Sequence, residues 1–142
     1  MKSLLFVIAL LFSVGLFAQD STDTTVKAPV IITKLPIQKT ATLKGVTIKF
    51  VSVVSDSRCP KNVNCIWAGE VVLLVDVQHG GNKAEAKTIT IGFKRNPTGQ
   101  ETDIIFKDES LTIQAMNVSP YPEYGVEVNA SDYVLLLDVE AY

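Results

Sequence analysis

From Leu43 onward, apolar and polar residues alternate in short runs separated by turn formers. A period of two places alternate side chains on opposite faces of a strand, so it commits the chain to half-buried β-strands rather than helices. Val46, Ile48 and Phe50 alternate with Thr47 and Lys49. Val71-Val72-Leu73-Leu74-Val75 begins as a continuous apolar run and then alternates through Asp76, Val77 and Gln78. That pattern predicts a central strand covered on both faces at its start. Ile89, Ile91 and Phe93 alternate with Thr88, Thr90 and Gly92, Ile104 and Phe106 flank a fourth strand, and Leu111, Ile113 and Ala115 mark a fifth. Tyr133, Leu135, Leu137 and Val139 mark the last, with Asp138 and Glu140 facing out. His79-Gly80-Gly81-Asn82 and Asn96-Pro97-Thr98-Gly99 read as turns. The expected fold is all-β, an antiparallel β-sandwich or small barrel of six to seven strands.

The N-terminus carries a different signal. Lys2 precedes an almost unbroken apolar run from Leu4 to Phe17, and Ala18 offers a small residue for cleavage. Fourteen residues fall short of the roughly 20 that span a bilayer, so residues 1–18 read as a secretory signal peptide. No cysteine follows the run to carry a lipid anchor. Residues 19–41 are rich in Thr, Asp, Lys and Pro and read as a flexible tether, with Val30-Ile31-Ile32 as a candidate edge strand. The β domain is expected over 42–142. Loss of Lys2 takes the net charge from −2 to −3, a mild acidity that disfavours nucleic acid and anionic lipid as partners.

Export makes the cysteines legible. Cys59 and Cys65 are the only two, five residues apart, and such a pair in an oxidising compartment is expected to form a disulfide. Closing so short a loop stabilises the fold by only about 2.4 kcal/mol in the chain-entropy picture, so the bond's main task is to hold one loop in one shape. The surrounding block, Asp56 to Glu70, also holds the sole tryptophan and one of two arginines. Trp67 directly follows the ring and is expected to pack over the S–S bond in the core, an exposed binding aromatic being the alternative. Arg58 has two readings: a planar cation offered to a carboxylate ligand, or a local partner of Asp56 that shapes the loop.

Catalytic and metal chemistry find little support. His79 is the only histidine and sits in a Gly-rich turn, the disulfide removes the thiol nucleophile, and no nucleophile-elbow pattern surrounds Ser57 or Ser119. Blue-copper and zinc-module spacings are absent, as is any phosphate-binding glycine loop. No cofactor or metal is expected. Asp56 and Glu70 flank the Cys loop and remain the one carboxylate pair that an envelope hydrolase could use. The second notable patch is Ser119-Pro120-Tyr121-Pro122-Glu123-Tyr124, where prolines stiffen a loop bearing two tyrosines.

The block Asp-Ser-Arg-Cys-Pro, followed by Val63, Cys65 and Trp67-Ala68-Gly69, resembles a group of small secreted bacterial proteins of uncharacterised function. Those proteins carry an Asp-Ser-Arg-Cys-Pro…Cys-x-Trp-Ala-Gly block near the start of a β domain. Pro120-Tyr121-Pro122 and the closing Asp132-Tyr133 strand are similar to that group too, over roughly Thr42 to Tyr142. The resemblance implies an exported domain with Cys59 paired to Cys65, and it supplies no catalytic role to carry over to any residue.

Together these readings describe a periplasmic or extracellular, non-enzymatic binding domain, with the envelope hydrolase and a purely structural domain as alternatives. Its partner would be an envelope or extracellular protein, a glycan or a small ligand. Arg58, Tyr121 and Tyr124 are expected on one accessible surface, because stiff loops lose little entropy on binding. The leader makes a direct prediction: the intact mass of the exported protein starts at or near Gln19. A mass retaining Met1 in the membrane fraction would overturn the export reading.

Overall fold

The computed structural model describes residues 31–92 and 101–142. The signal peptide, the first part of the tether with Val30, Phe93 and the turn at Asn96–Gly99 lie outside the described residues. Eight strands form two four-stranded antiparallel sheets that pack face to face. In chain order they are β1 (Ile31–Pro36), β2 (Thr40–Leu43), β3 (Val46–Asp56), β4 (Glu70–His79), β5 (Glu85–Gly92), β6 (Ile104–Lys107), β7 (Leu111–Ser119) and β8 (Val134–Ala141). One sheet runs β1-β8-β7-β6 and the other β2-β3-β4-β5.

The alternation read from the sequence supplies the facing layers. Val46, Ile48 and Phe50 of β3 and Val71, Leu73, Val75 and Val77 of β4 are buried against Leu111, Ile113 and Ala115 of β7 and Leu135, Leu137 and Val139 of β8. Removing these faces from water is the main favourable term, about 25 cal/mol per Å² of apolar surface.

Three expectations need correction. β4 is central in its sheet, yet Val72 and Leu74 are only half-buried on its outer side. Among the described residues no third layer covers that face. In β6 the fully buried residue is Ile105, while the Ile104 and Phe106 that marked the strand are half-buried, and a register shift falls between them. The folded region also begins before residue 42. β1 takes up the edge-strand segment and pairs with β8 along its length, with Leu35 buried. Pro36 is tolerated there because it ends an edge strand.

Residues 37–39 carry the chain from one sheet to the other. Ile37 N–H donates to Tyr133 O (2.9 Å) in the first sheet, and Gln38 N–H donates to Phe50 O (2.7 Å) in the second. The Gln38 side chain donates to Val51 O, capping the outer edge of β3 where β2 stops covering it. Two bulges then bend the rest of β3, between Phe50 and Ser52 and between Val53 and Ser55, and so blunt its open edge. A bulge in β7 between Ala115 and Asn117 shifts the phase of the alternation. Met116 and Asn117 are therefore both exposed, and burial resumes at Val118.

The β8 pattern makes a test. Leu137→Ala should cost roughly 2–5 kcal/mol in urea denaturation, through lost burial plus a cavity, and half-buried Leu136→Ala distinctly less. Equal losses would mean that both faces of β8 are covered.

Candidate loop-end recognition site

The Cys loop leaves β3 at Asp56 and returns to β4 at Glu70. Its base continues the ladder. Ser57 N–H donates to Glu70 O (2.8 Å), and Cys59 N–H donates to Ala68 O (2.9 Å). The Ser57 hydroxyl adds a bond to Glu70 O and accepts one from Glu70 N–H. Gly69 makes this close approach possible. It sits at φ +70°, and a Cβ there would lie 1.9 Å from Ser57 O. Beyond the last rung the disulfide closes the tip, with Cys59 and Cys65 joined at a Cα–Cα distance of 5.9 Å.

Between these two features Arg58 turns inward and is only 6 % exposed. Its guanidinium grips Asp56 through two parallel bonds, Nε to Oδ1 (2.8 Å) and Nη2 to Oδ2 (2.5 Å). Nη1 donates to Val118 O (2.6 Å) and Nη2 to Pro120 O (3.1 Å). The Tyr121 ring lies over the guanidinium, 4.8 Å from centroid to Cζ. Asp56 is equally occupied. Oδ1 also accepts the Arg58 backbone N–H (3.3 Å), and Oδ2 accepts the Tyr133 hydroxyl (3.2 Å). A carboxylate offers about four lone-pair positions, and here they are taken.

This ion pair joins the two sheets. Asp56 ends β3, whereas Val118 and Pro120 close β7 and Tyr133 precedes β8. The Cys loop therefore lies beside the Ser119–Tyr124 segment, whose Ser119–Pro120 bond is cis. A second contact confirms the adjacency: Lys61 N–H donates to Pro122 O (2.9 Å), and Lys61 Nζ pairs with Glu123 Oε1 (2.8 Å). That outer pair is half exposed and contributes little energy, so it marks the juxtaposition more than it enforces it.

The electrostatics follow from the geometry. Burial pushes the Asp56 carboxyl upward, but the hydrogen bonds and charge of Arg58, with the Tyr133 hydroxyl, outweigh it and hold the group below its ordinary 3.8. Tyr133 moves the other way, raised by burial and then by the Asp56 charge and hydrogen bond.

Two expectations fail here. Arg58 does not join an accessible surface with Tyr121 and Tyr124, because its donors are consumed inside the clamp. It lies beneath Tyr121, which is 36 % exposed, while Tyr124 is 79 % exposed. Trp67 does not pack into the core and is 63 % exposed. It follows the disulfide on the loop tip, beyond the Cys59–Ala68 rung. The exposed set also holds residues the sequence did not single out. Ile66 is 96 % exposed, and Val63 and Val126 stand open as well. The only sequence sign of this is a scarcity of charge around Ile66 and Trp67. Tyr133 was likewise read as a core residue, without its hydroxyl's partner.

His79 lies at the opposite end of the sandwich, its ring 4.8 Å from that of Phe106. Among the described residues, no three His, Cys, Asp or Glu side chains converge as a metal site. No protein family, curated protein or solved structure matches the chain.

The clamp predicts a definite stability pattern. Arg58→Ala should cost about 3–5 kcal/mol by urea denaturation, since it strands a buried carboxylate. Asp56 is held low, so its contribution is present above 3.8 and is lost as pH falls through its folded value. The stability gap between wild type and Asp56→Asn should therefore hold at neutral pH and close in acid below 3.8. A gap that persists unchanged in acid would contradict the ion-pair assignment.

Proposed function

We propose that this chain is an exported, non-enzymatic binding domain of the bacterial envelope that recognises its target through the paired loops. The observation that carries this reading is the display of Ile66, Trp67 and Tyr124 on two adjacent loops that are otherwise internally satisfied. Large apolar side chains exposed to water cost stability, and clusters of them mark interaction sites. Trp and Tyr are also the side chains most enriched at binding hot spots. Holding them on pre-ordered loops reduces the entropy lost on association.

Export rests on the N-terminal leader. It also fits the formed disulfide, the state favoured in oxidising compartments. No helix among the described residues is long and apolar enough to cross a membrane. The hydrolase alternative loses support from the state of Asp56. A carboxylate held ionised with its acceptor positions filled is poorly placed to donate or receive a proton during a reaction.

The test is cross-linking in the living envelope from photoreactive residues placed singly at 66, 124, 83 and 109. Positions 66 and 124 should give a defined adduct, and the two at the opposite end should not. The same diffuse products from both ends would count against a loop-end recognition site.

A further inference from the structure

The two ends of the sandwich differ in chemistry. The turns at the far end carry Lys44, Lys83, Glu85, Lys107, Asp108 and Glu109. The paired loops and their strand ends carry four charges that cancel as Arg58 with Asp56 and Lys61 with Glu123, and Glu70, Glu127 and Asp132 add three acidic charges outside those pairs. Beside these charges stand the exposed Ile66, Trp67 and Tyr124, with Val63 and Val126 near them in sequence.

We infer that this end seats the domain on a zwitterionic lipid surface, with Ile66 as the inserted tip and Trp67 and Tyr124 at headgroup level. The inference rests on the binding reading above and names its target. Five features favour lipid over the other classes. An isoleucine that is 96 % exposed projects from its loop, whereas a small molecule is held in a concave pocket. Aliphatic carbon gains nothing from the hydroxyls of a sugar but gains fully from hydrocarbon. Trp and Tyr settle at the membrane–water interface, where the ring is apolar and the polar edge stays wet. The charges left over from the two ion pairs are acidic, which gives no pull toward an anionic headgroup layer. A fluid bilayer also accommodates tips from two separate loops without a matching cavity.

The experiment uses the exported, processed chain and phosphatidylcholine vesicles. Trp67 is the sole tryptophan, so its emission reports directly on insertion. The expected result is co-sedimentation with the vesicles, a blue shift of Trp67 emission, and partitioning weakened about tenfold or more by Ile66→Asp or Tyr124→Ser. Both substituted residues are exposed, so the thermal transition should stay unchanged, and the far-end variant Lys83→Ser should partition like wild type. Three results would overturn the proposal: no partitioning, partitioning that ignores the substitutions, or binding only when anionic lipid is added. If vesicles fail while residue 66 still cross-links a defined envelope protein, the lipid target falls and the recognition site survives.

Discussion

The buried pair of Arg58 and Asp56 sets the shape of the end of this sandwich. Taking two charges out of water is costly, and their mutual attraction offsets that cost only when the remaining donors and acceptors are also satisfied. Here they are. The guanidinium spans β3, the close of β7 and the Tyr121 ring, while the carboxylate takes the Tyr133 hydroxyl ahead of β8. The consequence is less a gain in total stability than a fixed geometry. Connections from different sheets, far apart in sequence, are made to run side by side.

The Cys block then reads as one local device. Asp56 and Arg58 anchor the loop inward, Gly69 lets its return strand approach Ser57, and the disulfide ties the tip. With the base and tip both fixed, Ile66 and Trp67 are held in solvent by the covalent and ionic frame beneath them. The Pro-Tyr-Pro connection is fixed by the same guanidinium through Pro120 O and Tyr121. Rigid display of apolar side chains is what the proposed recognition surface requires.

The sandwich was legible because half-buried strands write their faces into the sequence, as Val46-Ile48-Phe50 and Tyr133-Leu135-Leu137-Val139 do. The disulfide was legible from two cysteines at short spacing behind a leader. Bulges were not. A single inserted residue near Met116 rephases β7, and no composition rule marks it. Ile105, the buried residue of β6, was likewise not singled out, and it lies at a register shift. At the site, Asp56 was foreseeable as a partner for Arg58 two residues away. The carbonyls of Val118 and Pro120 were not, because only tertiary folding brings them there. Trp67 was misread since an aromatic's usual burial assumes a layer above it, and Trp67 sits on the loop tip beyond the Cys59–Ala68 rung.

The central claim is that one buried ion pair couples both loops into a single surface. Amide hydrogen exchange on Arg58→Lys tests it most directly, because lysine keeps the charge but lacks the planar fork. The account predicts faster exchange in residues 57–69 and 119–129 together, with the core strands still protected. Faster exchange in 57–69 alone, with the Pro-Tyr-Pro segment unchanged, would contradict it.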